Sequence, residues 1–129
     1  TMVLVCGPRL ASEALDAPEG VEIRGYVPDL YEHFAACDLA IVQGGGTTTL
    51  ELTALKRPFI FFPIEGHFEQ AQVARRLERH HAGVRMSLAR TSPRDLAEQV
   101  IATLESEPSF APVPVDGGQR AAELIAELL

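Results

Sequence analysis

With 129 residues, 47% of them hydrophobic and 22% charged, the chain has room for one globular domain and excludes disorder as a global state. Eleven Lys and Arg against 18 Asp and Glu leave a net charge of −7, Trp is absent and aromatics are only 6%, so a nucleic-acid partner is not expected. No apolar run approaches the roughly 18 residues of a membrane-spanning helix, no signal-peptide pattern is present, and Cys6 and Cys37 lack metal spacing; buried reduced thiols and a cytoplasmic protein are expected.

The chain opens at Thr1-Met2-Val3, already inside a strand-like run, as a fragment would. Val3 to Cys6 predicts a first strand, closed by Gly7-Pro8, and Val21 to Arg24 a second. Leu30, Tyr31, Phe34 and Ala35 give one apolar helical stripe before Asp38. Leu39 to Val42 and Phe59 to Phe62 are continuous apolar runs, the pattern of strands covered on both faces in a parallel sheet. Between them Thr48 to Lys56 reads as a helix that ends before Pro58.

Phe68 to His81 predicts the next helix, stopping at Gly83 as a C-cap, with Arg75, Arg76 and Arg79 on a solvated face. Val84 to Met86 is a shorter fifth strand. Ser92 as N-cap and Pro93 at the first helical position open a further helix carrying Leu96, Val100 and Leu104. Residues 107–118 form a Pro-rich linker to a terminal helix over 119–129. Alternating strands and helices with short connections predict an α/β fold, a Rossmann-like open parallel sheet with helices on both faces, in a single domain spanning 1–129.

In open α/β sheets, ligands bind beyond the carboxyl ends of the strands. Two such ends are chemically unusual. Gln43-Gly44-Gly45-Gly46-Thr47-Thr48-Thr49-Leu50-Glu51 runs from a strand through three glycines into a helix. Glycines admit close approach to the backbone, and the free N–H groups of a first helical turn favour an anion, with three hydroxyls adding donors. Neither a P-loop nor a GxGxxG fingerprint is present. A capping box of Thr48 and Glu51 would explain those two residues but not the glycines. The second end is Pro63-Ile64-Glu65-Gly66-His67-Phe68-Glu69-Gln70, where His67, Glu69 and Gln70 offer polar groups suited to a polyhydroxyl ligand. The plainer reading is helix-start chemistry, with Glu69 facing the dipole. His33, His80 and His81 read as surface or helix-end residues, and no metal-ligating cluster or Ser-His-Asp set is recognisable.

Taken in order, Cys37-Asp38, the glycine–threonine loop through Glu51, Pro58, Pro63 and Glu69-Gln70 resemble the C-terminal donor-binding domain of UDP-glycosyltransferases of the two-domain GT-B fold. The likeness is to the peptidoglycan N-acetylglucosaminyltransferase and UDP-glucuronosyltransferase types. It is strongest from Gly25 to Gly83. The resemblance implies that Gly45, Gly46, Thr47, Thr48 and Thr49 hold a nucleotide diphosphate, with Gly44 in the same substrate-binding loop, that Glu51 binds the ribose hydroxyls, and that Glu69 and Gln70 meet the donor sugar. Tyr26-Val27-Pro28-Asp29 resembles the Trp-x-Pro-Gln segment near the uracil, with Tyr26 for the tryptophan and Asp29 for the glutamine. Gln43 stands where many members carry histidine, and His67 could supply a comparable contact; Thr47 stands where plant-type members have asparagine.

The activity implied is glycosyl transfer from a nucleoside diphosphate sugar, most simply a UDP-sugar, with no cofactor and no metal expected. The catalytic base would belong to an N-terminal acceptor-binding domain or a separate acceptor subunit. The chain would then be a donor-binding half lacking its first βα unit, inactive alone. Two alternatives are a nucleotide-sugar epimerase of the same fold and a non-catalytic nucleotide-binding module whose threonines only cap a helix.

Overall fold

The computed structural model describes residues 1–128; Leu129, the last residue of the expected terminal helix, lies outside the described residues. In chain order it contains β1 (Met2–Val5), a 3-10 turn (Ser12–Ala14), β2 (Val21–Arg24), α1 (Leu30–Ala36), β3 (Ala40–Gln43), α2 (Gly46–Ala54) and β4 (Phe59–Phe62). After these come α3 (Phe68–Arg79), β5 (Val84–Arg85), α4 (Pro93–Glu105) and α5 (Gly117–Ala126). Every strand pair is parallel, and the architecture is α/β with parallel sheets and helices on both sides.

The chain divides into two compact units, Thr1–His33 and Phe34 onward. In the first, β1 and β2 pair alone, from Met2 opposite Val21 to Val5 opposite Arg24. All four β1 residues are exposed. In the second, β4 lies between β3 and β5, with Ala40 opposite Phe59 and Ile60 opposite Val84. The strands are therefore hydrogen-bonded as two sheets, a division that apolar runs do not encode, because a run marks a strand and not its neighbour.

The core lies in the second unit. Phe59, Ile60 and Phe61 of β4 are fully buried, as a central strand of a covered sheet requires. Leu52 of α2 and Val73, Ala74 and Leu77 of α3 are buried in the same cluster. On α3 these recur at i, i+1 and i+4, one apolar stripe, while Arg75, Arg76 and Arg79 lie exposed on the opposite face. Phe110, from the irregular segment after α4, packs on the cluster and meets the Phe59 ring edge-on at 6.2 Å.

Both α2 and α3 end in Schellman motifs built without glycine. Lys56 (φ 54°) and His81 (φ 52°) take the left-handed position. Ala82 N–H donates to Leu77 O at 2.9 Å and Arg57 N–H to Leu52 O at 3.0 Å, closing the two turns. Gly83 is thus not the C-cap of α3. Residues 107–116 carry no helix or strand, and α5 begins at Gly117, two residues before the expected start. Among the described residues no helix is long and apolar enough to cross a membrane.

Candidate functional site

The glycine loop follows β3 directly, and its three glycines have three different surroundings. None has a positive φ. Gly44 is buried, and a Cβ there would lie 3.1 Å from Pro63 Cα and Cβ and 3.3 Å from Gln70 Oε1. Packing alone therefore demands glycine at 44. At Gly45 a Cβ would meet nothing within 4 Å, and at Gly46 only ordinary contacts at 3.7 Å with Glu69 Oε1 and Val73 Cγ2. Neither strain nor crowding explains the last two glycines, and a side chain on Gly45 would enter open space.

Gly45 is the N-cap of α2, extended at φ −71° and ψ 140°, with no side-chain cap. The helix so starts two residues before Thr48, and the expected Thr48–Glu51 capping box does not form. Gly45 N–H donates back to Gln43 O at 2.9 Å and Thr49 N–H to Gly45 O at 3.2 Å. Among the described residues the N–H groups of Gly46, Thr47 and Thr48 have no acceptor. Three aligned donors at the positive end of a helix are an anion site in form.

The three threonines differ. Thr47 is exposed and Thr48 half-buried, and neither hydroxyl is hydrogen-bonded within the described residues. Thr49 is 1% exposed, and its hydroxyl donates to Gly45 O at 2.8 Å. Thr53 repeats this one turn later, donating to Thr49 O at 2.6 Å. The structure thus turns the Thr49 hydroxyl into the helix, away from any ligand in the loop. Glu51, half-buried on the next turn, makes no side-chain hydrogen bond among the described residues.

The second loop is set by a turn in which His67 N–H donates to Ile64 O at 3.3 Å. Gly66, at φ 76°, holds the third position, where a type II turn needs a positive φ. His67 then caps α3: its Nδ1 accepts from Gln70 N–H at 3.4 Å, which leaves Nε2 as the outward donor of the neutral ring. Glu69 is exposed in the first turn of α3, with Oε1 beside Gly46. Gln70 is 7% exposed, and its Oε1 accepts the Ile64 N–H at 2.7 Å. Gly44 and Gln70 therefore join the two loops, and the partner that sequence reasoning left without a role is Pro63. Its signal was its place directly after the apolar run of β4.

Gln43, exposed at the end of β3, stands on the wall of an open apolar groove of about 550 Å³ that also takes in Ile41, Pro63, Ile64 and Leu88. On its rim Ser87 Oγ donates to Glu65 Oε1 at 3.1 Å, linking the loops after β4 and β5. In the first unit Tyr26 is 77% exposed and Val27 buried, so the turn offers a ring at its surface and anchors itself through the valine.

A model of the glycosyltransferase family 28 C-terminal domain matches residues 2–128. The chain belongs to this family. An uncharacterized glycosyltransferase of Methanosarcina acetivorans is 33% identical over 105 residues, 81% of this chain and 27% of that protein. The UDP-N-acetylglucosamine–N-acetylmuramyl-(pentapeptide) pyrophosphoryl-undecaprenol N-acetylglucosamine transferase of Methylorubrum populi is 27% identical over 84% of this chain and 32% of its own length. The family 28 domain thus spans about a quarter to a third of these relatives. Among solved structures, the spinosyn forosaminyltransferase SpnP superposes with a TM-score of 0.56 at 23% identity, over 91% of this chain and 33% of that one. That likeness is one of fold.

Proposed function

We propose that this domain binds the nucleoside diphosphate of a sugar donor, most simply UDP, within a glycosyltransferase whose acceptor site lies in another domain or subunit. The observation that carries the reading is the start of α2. Gly45 and Gly46 are glycine without a packing reason, and beside them the N–H groups of Gly46, Thr47 and Thr48 have no acceptor. A diphosphate supplies the missing acceptors. The exposed Thr47 and half-buried Thr48 hydroxyls add two donors, and His67 Nε2 and Gln43 add further ones from the neighbouring strand ends.

Glu51 is one turn along α2, and its uncommitted carboxylate suits a pair of ribose hydroxyls. Glu69, beside Gly46, suits hydroxyls of the transferred sugar. The donors are neutral and fixed before the reaction. As the bond from the anomeric carbon to the diphosphate oxygen breaks, negative charge grows on the leaving group, and donors already aimed at it stabilise that charge without reorganising. Names of the relatives, several of them UDP-N-acetylglucosamine transferases, support the uridine donor.

Calorimetry with UDP tests the reading. UDP is expected to bind, and Glu51→Ala to weaken it about tenfold, the loss of one or two hydrogen bonds to a charged group. Absence of UDP binding, or an unchanged affinity in Glu51→Ala, overturns the assignment and leaves the threonine loop as a helix start alone.

A further inference from the structure

We propose that the outer face of α3 is a docking surface for anionic lipid headgroups, with a row of arginines meeting the phosphates and Phe68 entering the apolar layer beneath them. The face does not include the glycine loop, so its binding is independent of the donor site proposed above.

Charge is segregated along the chain. Between Ala71 and Arg90 five arginines stand against a single acidic residue, Glu78, although the whole chain carries a net charge of −7. Helix geometry gathers three of the five. The buried residues of α3 are Gln70, Val73, Ala74 and Leu77. Phe68, Gln72, Arg75 and Arg79 recur at helical spacing on the opposite side, and all of them are exposed in one row. Arg76, also exposed, flanks that row.

Within the described residues nothing neutralises the row. Arg75, Arg76 and Arg79 make no ion pair there, and Glu78 reaches Arg85 of β5 at 3.8 Å instead. The two carboxylates near the start of α3 are engaged elsewhere: Glu65 accepts from Ser87 Oγ at 3.1 Å, and Glu69 Oε1 lies beside Gly46. An acidic chain is repelled by an anionic surface except through a face of this kind, so the arginines also set the orientation of approach.

The row suits a surface rather than a single ion. From Phe68 to Arg79 it runs about 16 Å along the helix, too far for one phosphate to bridge. Guanidinium groups grip phosphate oxygens through paired hydrogen bonds, so successive arginines can each take a headgroup. A protein partner, a second copy included, would need carboxylates in register with the arginines, whereas lipid headgroups move to meet them. The apolar stripe of α3 lies in the core, so the helix cannot sink into a bilayer and the attraction is chiefly electrostatic. Phe68 is the exception, 78% exposed at the end of the row. Leu88, 81% exposed, follows Ser87, which the bond to Glu65 ties to the loop before Phe68. Large apolar side chains beside arginines fit the boundary between headgroups and acyl chains.

Vesicle flotation of the whole chain tests the proposal, comparing phosphatidylcholine vesicles that carry about 30% phosphatidylglycerol with phosphatidylcholine alone. The wild type is expected to float with the anionic vesicles, to ignore the neutral ones and to be released by salt. Arg75→Gln/Arg76→Gln/Arg79→Gln should lower the partition coefficient about a hundredfold, about fivefold for each arginine, and Phe68→Ser about tenfold. Arg9→Gln/Arg94→Gln/Arg120→Gln makes the same change of net charge on other elements, and should lower it less than about threefold. Equal losses in the two triple variants overturn the assignment to α3, and so does binding to neutral vesicles or to none. Free glycerol phosphate and UDP are expected not to displace the chain from vesicles. Displacement by either would put the anion in a single site and overturn the surface. A dimer formed without vesicles and abolished by the α3 triple variant would make the face a contact between copies, and would equally overturn the lipid assignment.

Discussion

The Phe59 ring occupies the space in which Gly83 would carry a side chain. A Cβ on Gly83 would collide with Cε2 and lie 2.6 Å from Cζ and 2.7 Å from Cδ2 of a fully buried phenylalanine. Gly83 also sits at φ 69°, in the left-handed region. Gly83→Ala adds a backbone term of about 1–2 kcal/mol and an overpacking term of about 1–3 kcal/mol. A loss of about 3 kcal/mol in urea unfolding is expected. Shrinking the ring in Gly83→Ala/Phe59→Leu should recover part of it, giving non-additive losses for two residues in contact. Additive losses, or a loss of only a few tenths, would contradict the contact.

Thr48 and Thr49 are neighbours with opposite expected effects. Thr49 donates its hydroxyl to Gly45 O, whereas the Thr48 hydroxyl and N–H have no partner in the described residues. Thr48→Val should therefore weaken UDP about tenfold and barely change stability. Thr49→Val should lower stability by about 1 kcal/mol, the net worth of a buried hydrogen bond, and weaken UDP less than Thr48→Val does. Calorimetry and urea unfolding on the same two variants check both halves, and the reverse ranking would place the Thr49 hydroxyl at the ligand.

The contrast shows how far the sequence carried. Phe59-Ile60-Phe61-Phe62 is legible as a buried parallel strand because four apolar residues in a row leave no polar face. The glycine loop stands out as a candidate anion site because a helix cap alone leaves Gly45 and Gly46 unexplained. The start of α2 is not: three glycines read as loop, yet Gly45 takes an ordinary N-cap conformation and the helix begins at Gly46. His81 in place of Gly83 as the left-handed residue of α3 is equally illegible, since a Schellman turn closed by Ala82 overrides the local preference. Gln70 reads as a polar helix-start residue; its burial involves Gly44, which is distant in sequence.

Acid should loosen α4 in a way one residue reports. Ser92 Oγ donates to Asp95 Oδ2 at 2.7 Å and Ser92 N–H to the same oxygen at 2.9 Å, the reciprocal half of a capping box. These bonds, the hydroxyl first, hold the Asp95 carboxyl below its usual range. The folded value is the lower one, so the cap contributes fully above the unfolded value and is lost as pH falls through the folded one. An NMR titration should find Asp95 below an ordinary aspartate, and Ser92→Ala should return it there while costing about 1 kcal/mol of stability. An unshifted Asp95 would remove the pH dependence.

Cys37 should resist alkylation until the solution is unusually basic. Its Sγ donates to Phe34 O at 3.3 Å, and burial pushes the thiol up, since a thiolate there loses water. Arg57 pulls the value down and Asp38 adds to the rise. Iodoacetamide labelling followed by mass spectrometry across pH should therefore show the Cys37 midpoint above the ordinary thiol range. Two charge variants fix the sign of each neighbour: Asp38→Asn should move the midpoint down, and Arg57→Met should move it up. Linkage runs the same way. The folded value is the higher one, so the stability tied to the neutral thiol is full below the unfolded value and is lost as pH rises through the folded one. A midpoint at or below that of a free thiol, or one moved in the opposite sense by either variant, would show that the thiol is solvated and that these neighbours do not govern it.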